Sequence, residues 1–314
     1  MGKVVVLGSL NMDISIEASR VPQQGETVDG SNLCINPGGK GANQAVAAAR
    51  MGAATTMVGA VGADAFGAEL VGAVAQAGVD CSPVQALGSD VSGVALVIRH
   101  EGNNRIVVGH GANYAVTPDA AERALRSLLA PNDVFLTQFE CPPDTVERAV
   151  NVAHELGAYV MVNPSPVRRL SAAFCQKVDL LCLNELECAY LLDVSVAEPG
   201  TQSPQPQQSP QAALTALGEK GVRSVVLTLG ECGSQILHDG SYISQPAYAV
   251  DAKDTTCAGD TFVGTLAACM AQEVDMRRAL KMASAASALA CTQVGAQRSI
   301  PSLEQVTKAL EERW

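Results

Sequence analysis

The strongest constraint on the fold is an alternation of short apolar runs with helix-length stretches in the middle of the chain. The apolar runs 134–137 and 159–162 follow predicted helices at 119–129 and 145–156. Short apolar strands separated by helices predict a parallel sheet that is covered by helices on both faces. Ligands of such sheets bind beyond the carboxyl ends of the strands. The polar residues that follow the strands are therefore the candidates for function.

Composition narrows the class of protein. The chain has 314 residues, of which 47% are hydrophobic and 17% charged, and these values fit a globular protein with a large core. A net charge of −11 argues against a nucleic-acid partner. The cysteines are isolated and only four histidines occur, so we expect no zinc site. No secretory leader and no apolar run of about 18 residues is found, so we expect a cytoplasmic protein without a membrane partner.

Two segments depart from the alternation of strands and helices. The strand patterns 94–99 and 105–109 form a hairpin without an intervening helix, which predicts a small β element distinct from the α/β body. Segment 198–211 is rich in Pro, Gln and Ser, and its composition predicts a flexible surface loop. Because this loop lies between regular elements, residues 1–314 are predicted to form a single domain.

The most informative polar stretch is Asp254–Phe262, which precedes a predicted helix at 262–270. Backbone amides at a helix N-terminus can bind an anion, and small residues allow a ligand to approach the backbone closely. Asp260 stands at the end of this stretch, where its carboxylate could activate a hydroxyl group beside a phosphate. An ordinary helix cap explains the same residues equally well when they are considered alone.

Two further polar groups lie near the N-terminus. Asn11 and Asp13 follow the buried strand 4–7 and could bind hydroxyl groups, although an Asx turn is the simpler interpretation. The run Gly38–Asn43 precedes a predicted helix at 45–51. Its Lys and Asn side chains could donate hydrogen bonds to a sugar or an anion, and a glycine-rich helix entry is the alternative.

Two more groups follow later strands. Asn184 and Glu187 could hold Mg²⁺ through water, or could cap the helix 185–192. The segment 228–233 joins two strands through a glycine turn, which suits either contact with a nucleotide or a tight hairpin.

Four of these groups occur in chain order as Asn11 with Asp13, the run Gly38–Gln44, Asn184 with Glu187, and the stretch Asp254–Phe262. In this order and at these separations, they resemble the motifs of the ribokinase-like carbohydrate kinase family. The resemblance runs from Val4 to Pro301 and includes the shorter pieces 111–113, 138–140 and 295–301. It implies a three-layer α/β/α sandwich with a mainly parallel central sheet and a small β-sheet lid. The lid would be inserted discontinuously in the α/β body, at approximately 14–18, 32–37 and 93–110. It also implies transfer of a phosphoryl group from ATP to the O5 hydroxyl of D-ribose.

The resemblance also implies a role for each matching residue, with Asp260 as the general base. The residues implied to bind the sugar are Asn11, Asp13, Gly38, Gly39, Lys40, Asn43, Glu140 and Asp260. The residues implied to bind ATP and its phosphates are Asn184, Glu187, Thr228, Leu229, Gly230, Glu231, Cys232, Gly233, Cys257, Ala258, Gly259, Asp260 and Ser284. The positions implied for K⁺ are Asp254, Thr256, Ala290, Gln293, Gly295 and Ser299, and Glu187 is implied for Mg²⁺ through water.

Three further expectations follow from the resemblance. A homodimer would form through the lid. A related substrate, namely 2-deoxyribose, adenosine or fructose, is the alternative, and a sugar-sensing protein without catalysis is a weaker one. Position 257 departs from the family pattern, because it is Cys where Gly or Ala is usual. We therefore expect that oxidation of this thiol could affect activity.

Overall fold

The computed structural model describes residues 2–100, 103–193 and 209–314. Its strands are β1 Val4–Leu7, β2 Asn11–Ala18, β3 Gly30–Gly38, β4 Thr55–Gly62, β5 Val84–Leu87, β6 Gly93–His100, β7 Asn103–Gly109, β8 Val134–Thr137, β9 Tyr159–Val162, β10 Leu180–Asn184, β11 Ser224–Thr228, β12 Ser234–His238 and β13 Ser241–Gln245. Its helices are α1 Lys40–Arg50, α2 Ala65–Gln76, α3 Pro118–Leu128, α4 Pro143–Glu155, α5 Ala172–Cys175, α6 Glu185–Leu191, α7 Pro210–Glu219, α8 Ala258–Ala271, α9 Met276–Cys291 and α10 Leu303–Glu312.

A nine-stranded sheet forms the centre of the molecule, in the order β13-β12-β11-β10-β9-β8-β1-β4-β5. Neighbouring strands from β11 to β5 are parallel, and β12 and β13 are added antiparallel at one edge. The inner strands are short and fully buried because helices cover both faces. In β1, for example, Val4 and Val6 belong to one core and Val5 and Leu7 to the other.

The two cores define the helical layers. On one face the core contains residues of α1, α2, α8, α9 and α10, and on the other it contains residues of α3 to α7. The predicted three-layer α/β/α sandwich with a mainly parallel sheet is therefore confirmed. In the described part of the chain, no helix combines the length and the hydropathy needed to span a bilayer.

A second, four-stranded sheet has the order β3-β2-β6-β7 and accounts for the predicted small β element. Its central strands β2 and β6 are parallel, and each outer pair is antiparallel. Side chains alternate between its faces, as in any strand. Asp13 and Ser15 point into a cleft beside the main sheet, whereas Ile14 is paired in register with Ile35 and Leu96 on the opposite face.

Several element boundaries differ from those predicted. Asn11 and Asp13 lie in strand β2 rather than in a turn, and α1 begins at Lys40 instead of Ala45. Helix α8 begins at Ala258 instead of Phe262, so the polar stretch supplies its first turn. Most of the loop predicted at 198–211 lies outside the described residues, and its last two positions belong to α7.

Helices α1 and α8 pack closely at Gly264. A Cβ atom at this position would lie 2.3 Å from the backbone oxygen of Gln44 and 2.6 Å from the Cβ atom of Ala47. Real Cβ atoms do not approach backbone so closely, so only glycine allows the observed separation of the two helices. The contact places the first turn of α1 beside the first turn of α8.

We predict that Gly264→Ala lowers the free energy of unfolding by about 1–3 kcal/mol, because the new methyl group forces the two helices apart. Urea unfolding followed by circular dichroism measures this change. Gly72→Ala, in α2, is the matched control, because a Cβ atom there would have no neighbour within 4 Å. The control should gain stability through helix propensity, by up to about 1 kcal/mol. Equal effects of the two substitutions would contradict the packing argument.

Candidate active site

The candidate residues lie at the carboxyl edge of the parallel sheet, where ligands of such sheets bind. Glu140 and Asn163 follow β8 and β9, and Asn184 and Thr228 end β10 and β11. Asn184 and Thr228 are register partners, so the residues implied for phosphate and nucleotide lie side by side.

Glu140 joins the segments that are implied to bind the sugar. Its Oε2 atom accepts hydrogen bonds from the Ser9 hydroxyl, from Asn11 Nδ2 at 3.3 Å and from the Lys40 amide at 3.3 Å. Asn113 fixes the opposite side of this group, because its Nδ2 atom donates to Asn11 Oδ1 at 2.8 Å. The loop after β1, the start of α1 and the residue after β8 are therefore held in one network of hydrogen bonds.

Asp260 receives hydrogen bonds from two neighbouring residues of α1. Asn43 Nδ2 donates to Asp260 Oδ2 at 2.9 Å, and Gln44 Nε2 donates to Asp260 Oδ1 at 2.9 Å. Asn43 is only 5% exposed, yet its Oδ1 atom has no hydrogen-bond partner among the described residues. A buried acceptor without a partner is destabilising unless a ligand satisfies it. This oxygen is suited to accept a hydrogen bond from a hydroxyl group.

Asp13 is the most perturbed carboxyl group of the site. Burial, followed by the negative charges of Glu140 and Asp260, raises its pKa to about 7, and Lys40 acts in the opposite direction. Its position depends on Gly38, because a Cβ atom there would lie 2.1 Å from Asp13 Oδ2. Strand β3 can therefore run beside the Asp13 carboxylate only if residue 38 has no side chain.

Lys40 balances the carboxylates. Burial lowers the pKa of its ammonium group, but the charges of Asp260, Glu140 and Glu187 outweigh burial, and the pKa is raised overall. The lysine is therefore charged at neutral pH. Its interaction with Glu187 brings that residue within electrostatic reach of the site.

Cys257 caps α8 in the left-handed conformation, with φ at 68°. A residue with a Cβ atom is strained in this region, which explains physically why glycine suits the position. The expected sensitivity to oxidation is not favoured, because burial and the charge of Asp260 raise the pKa of the Cys257 thiol well above its usual value. A protonated thiol is a poor nucleophile.

The first turn of α8 provides the amides implied to bind phosphate. The Ala258 amide donates to the oxygen of Thr255 at 3.2 Å, whereas helix geometry leaves the Gly259 and Asp260 amides without an acceptor in the preceding turn of the helix. Near the nucleotide positions, Asn184 and Glu187 form a reciprocal capping box at the start of α6. The predicted cap and the predicted phosphate role thus fall on the same residues.

Two of the positions implied for K⁺, Thr256 and Gly295, contact a third, Asp254. Its carboxylate accepts hydrogen bonds from the amides of Thr256 at 2.9 Å and Gly295 at 3.0 Å. Burial raises the pKa of Asp254, but these hydrogen bonds outweigh burial and lower it overall, so the group is ionised. Ser299 is buried close by, with its hydroxyl bonded to the oxygen of Ala296.

A cleft of about 950 Å³ separates the second sheet from the loops 252–256 and 294–296. Asp13 and Asp254 both line it, so the implied sugar and cation positions share one opening. Within residues 2–100, 103–193 and 209–314, no group of three or more His, Cys, Asp or Glu side chains is arranged to hold a metal ion. A cation at this site would therefore depend on isolated carboxylates, hydroxyls and backbone oxygens.

Comparison with known proteins agrees with this geometry. The family model described as pfkB family carbohydrate kinase matches residues 1–303. The chain belongs to this family. The kinase is 34% identical over 309 residues to a ribokinase of Haemophilus influenzae, covering 98% of both chains. It is 31% identical over 309 residues to a deoxyribokinase of Salmonella typhi, again covering 98% of both.

Solved structures give the same result. The kinase superposes on the structure of Arabidopsis thaliana ribokinase complexed with ribose and ATP with a TM-score of 0.86. The sequence identity is 28%, and 99% of each chain is covered. It is a ribokinase-type sugar kinase.

Most of the predicted residues meet at the site, and the structure adds others. Sequence reasoning assigned no role to Ser9, Asn113, Gln44, Gln138 and Asn163, which orient the implied ligand-binding groups. Asn163 was a candidate from the sequence because it directly follows a buried strand, and the same signal could have identified Gln138. Ser284 is buried in α9, and no hydrogen bond connects its side chain to the site within the described residues.

The raised pKa of Asp13 gives a prediction for stability. The folded protein binds a proton at Asp13 up to about pH 7, whereas the unfolded chain releases it near pH 4, so stability falls as the pH rises between these values. Asp13→Asn removes this effect. Between pH 5 and pH 8, the unfolding free energy of the variant should therefore rise relative to the parent by about 3 kcal/mol, measured by urea unfolding.

Asp64→Asn is the control for this experiment. Hydrogen bonds from Ser92 lower the pKa of Asp64, so the proton of this group is exchanged only below about pH 4. The difference between that variant and the parent should stay constant from pH 5 to pH 8. A constant difference for Asp13→Asn as well would show that Asp13 is not protonated in the folded protein.

Proposed function

We propose that this kinase transfers the γ-phosphoryl group of ATP to the O5 hydroxyl of D-ribose, giving D-ribose 5-phosphate and ADP. The observation that carries the proposal is the placement of Asp260 in the first turn of α8, beside a buried amide oxygen of Asn43 that lacks a partner. A carboxylate is thereby placed where a hydroxyl group and a phosphate can meet. The names of the relatives, which include several ribokinases, support ribose as the acceptor.

The sugar would bind beside Glu140. Asn11, Asp13 and Lys40 surround this carboxylate and offer both donors and acceptors. Gly38 and Gly39 would allow the backbone to approach the ring. A sugar with several hydroxyl groups suits such a set, because each buried polar atom then gains a hydrogen bond.

Asp260 would accept the proton of the O5 hydroxyl as that oxygen attacks the γ-phosphorus. Phosphoryl transfer depends mainly on positioning and on the stabilisation of charge on the phosphate oxygens. The Gly259 and Asp260 amides at the N-terminus of α8, together with that of Cys257, would hold the transferred group, and Lys40 would add positive charge. The nucleotide would lie along 228–233, next to Asn184.

The residues implied for cations fit hard ions chemically. The six K⁺ positions offer oxygen atoms, and the ionised Asp254 supplies the charge among them. At Glu187, Oε2 accepts a hydrogen bond from the Asn184 amide, which leaves Oε1 for water bound to Mg²⁺. When bound, these ions would neutralise charge on the phosphate groups.

We predict that Asp260→Asn lowers kcat by about 10²–10⁴-fold, since it removes the base and keeps the shape of the side chain. Sugar affinity, measured by calorimetry, should remain within a few-fold of the parent. Turnover close to that of the parent would exclude the assigned role.

A coupled assay of ADP release over a panel of sugars, with and without K⁺, tests the substrate. We expect the highest kcat/KM for D-ribose and a loss of rate without K⁺. 2-Deoxyribose is the second candidate because a deoxyribokinase is among the relatives. A preference for adenosine or fructose, or the absence of ADP release with every acceptor, would reject the proposal.

The second sheet would act as a lid over the cleft and as the contact surface of a homodimer. The face turned away from the cleft carries Ile35, Leu96 and Val107, which are 49%, 51% and 69% exposed. Ile14 is the register partner of Ile35 and Leu96, and Leu96 is the register partner of Val107. An apolar patch of this kind is typical of a protein–protein contact. A second lid, with the same apolar face, would cover it symmetrically.

We predict that Leu96→Glu converts the dimer to a monomer, because it places a charge in the centre of the patch. Multi-angle light scattering measures the mass. Leu303→Glu, at an exposed apolar position of α10, is the control and should leave the mass unchanged. A parent protein that is already monomeric at micromolar concentration would refute the dimer.

A further inference from the structure

A row of buried side-chain amides begins at Asp260. It consists of Gln44, Gln138 and Asn163, which are 0%, 0% and 8% exposed. Gln44 Nε2 donates to Asp260 Oδ1 at 2.9 Å and to Asn163 Oδ1 at 3.0 Å. Gln138 Nε2 donates to Gln44 Oε1 at 2.6 Å. The proposed roles in sugar and nucleotide binding do not use these three residues.

The orientation of every amide in this row is fixed from the backbone of β10. Asn163 Nδ2 donates to the carbonyl oxygen of Cys182 at 3.0 Å, and a carbonyl oxygen can only accept. Asn163 must therefore accept a hydrogen bond from Gln44 through its Oδ1 atom, and Gln44 must donate this bond from its NH₂ group. The same NH₂ group then faces Asp260, which leaves the oxygen of Gln44 for the donor of Gln138.

Gln138 contributes to the orientation of the Gln44 amide although one of its own polar atoms lacks a partner among the described residues. Its Oε1 atom is buried and has no hydrogen-bond partner within the described part of the chain. Gln138 Oε1 has space because residue 8 is glycine. A Cβ atom at residue 8 would lie only 2.2 Å from this oxygen. An unsatisfied buried acceptor is destabilising, and an apolar side chain would avoid it. The benefit of the Gln138 amide is the orientation that it imposes on Gln44.

Asn43 and Gln44 hold Asp260 in different ways. Among the described residues, Asn43 has an oxygen without a partner, which is left for a ligand, whereas Gln44 is tied to three partners. From this contrast we infer that Gln44 is the positioning residue of the base. It fixes Oδ1 of Asp260, and Asn43 releases Oδ2 to the sugar hydroxyl. This inference rests on the proposed role of Asp260.

The charged and titratable groups that face Asp260 lie on β2, on α1 and at the residue that caps α8 itself. They are Asp13 of β2, Lys40 of α1 and the Cys257 thiol before α8. Substitutions at Gln44 leave all three in place. A change in the pH profile of a Gln44 variant therefore reports on the contact between residue 44 and Asp260.

The first variant is Gln44→Met, which keeps the length of the side chain and removes its hydrogen bonds. Loss of a hydrogen bond to a charged group predicts that kcat falls about 10- to 100-fold. The KM values for sugar and ATP should change less than threefold, because no ligand-binding atom is lost. A kcat within threefold of the parent would overturn the inference.

The second variant is Gln44→Glu, which places a carboxylate against Asp260. Two carboxylates at this distance share a proton, so the base stays occupied to higher pH. The acidic limb of the kcat profile should move upward by at least one pH unit. A purely structural role would lower activity or thermal stability without moving this limb, and that result would also overturn the inference.

Gln138→Met decides the question if substitutions at Gln44 prevent folding. It leaves the hydrogen bonds to Asp260 possible but frees the Gln44 amide to turn, so we expect a 3- to 10-fold loss of kcat with unchanged KM. An unchanged kcat would overturn the inference. The parent is assayed first with the sugar panel. If it phosphorylates none of the sugars, the proposed function fails, whereas any sugar that is turned over serves to test Gln44.

Discussion

The close approach of α1 and α8 is the constraint on which the site depends. Gly264 removes the side chain that would separate these helices, and the first turns of both then meet at the carboxyl edge of the sheet. Asn43 can reach Asp260 only because of this contact, although the two residues are 217 positions apart in the chain. A single packing contact in the core thus sets the geometry of the candidate catalytic group.

The site also concentrates charge that the fold must tolerate. Asp13, Glu140 and Asp260 interact across a small volume, and Lys40 is the ammonium group that all three share. Burial, followed by the charges of Glu140 and Asp260, raises the pKa of Asp13 to about 7, so that below this pH a bound proton reduces the repulsion. The surrounding amides of Asn11, Asn43 and Asn113 supply donors without adding charge. The buried carboxylates, which are suited to accept hydrogen bonds from hydroxyl groups, thus lower the stability of the fold.

The sandwich and many residues of the candidate site could be predicted from the sequence. The side chains that hold those residues in place could not. Strands β8 and β9 were predicted with their observed ends, because each is an apolar run between turn residues. The starts of α1 and α8 were predicted too late, since glycine and polar side chains in a first turn have the composition of a loop. The contact from Gln138 to Gln44 spans 94 positions, and no local pattern reports such a pairing before the fold is known.

Strand β2 has two faces with different tasks. Asp13 faces the cleft, and the next residue, Ile14, is half-buried on the opposite face of the second sheet, beside the exposed Leu96. No flexible connection separates the Asp13 and Ile14 side chains, so a protein that covered the apolar face would contact the same strand that holds Asp13. Association and ligand binding would then be thermodynamically linked, and each would change the equilibrium constant of the other by the same factor. Cooperativity between subunits would require no element beyond this one strand.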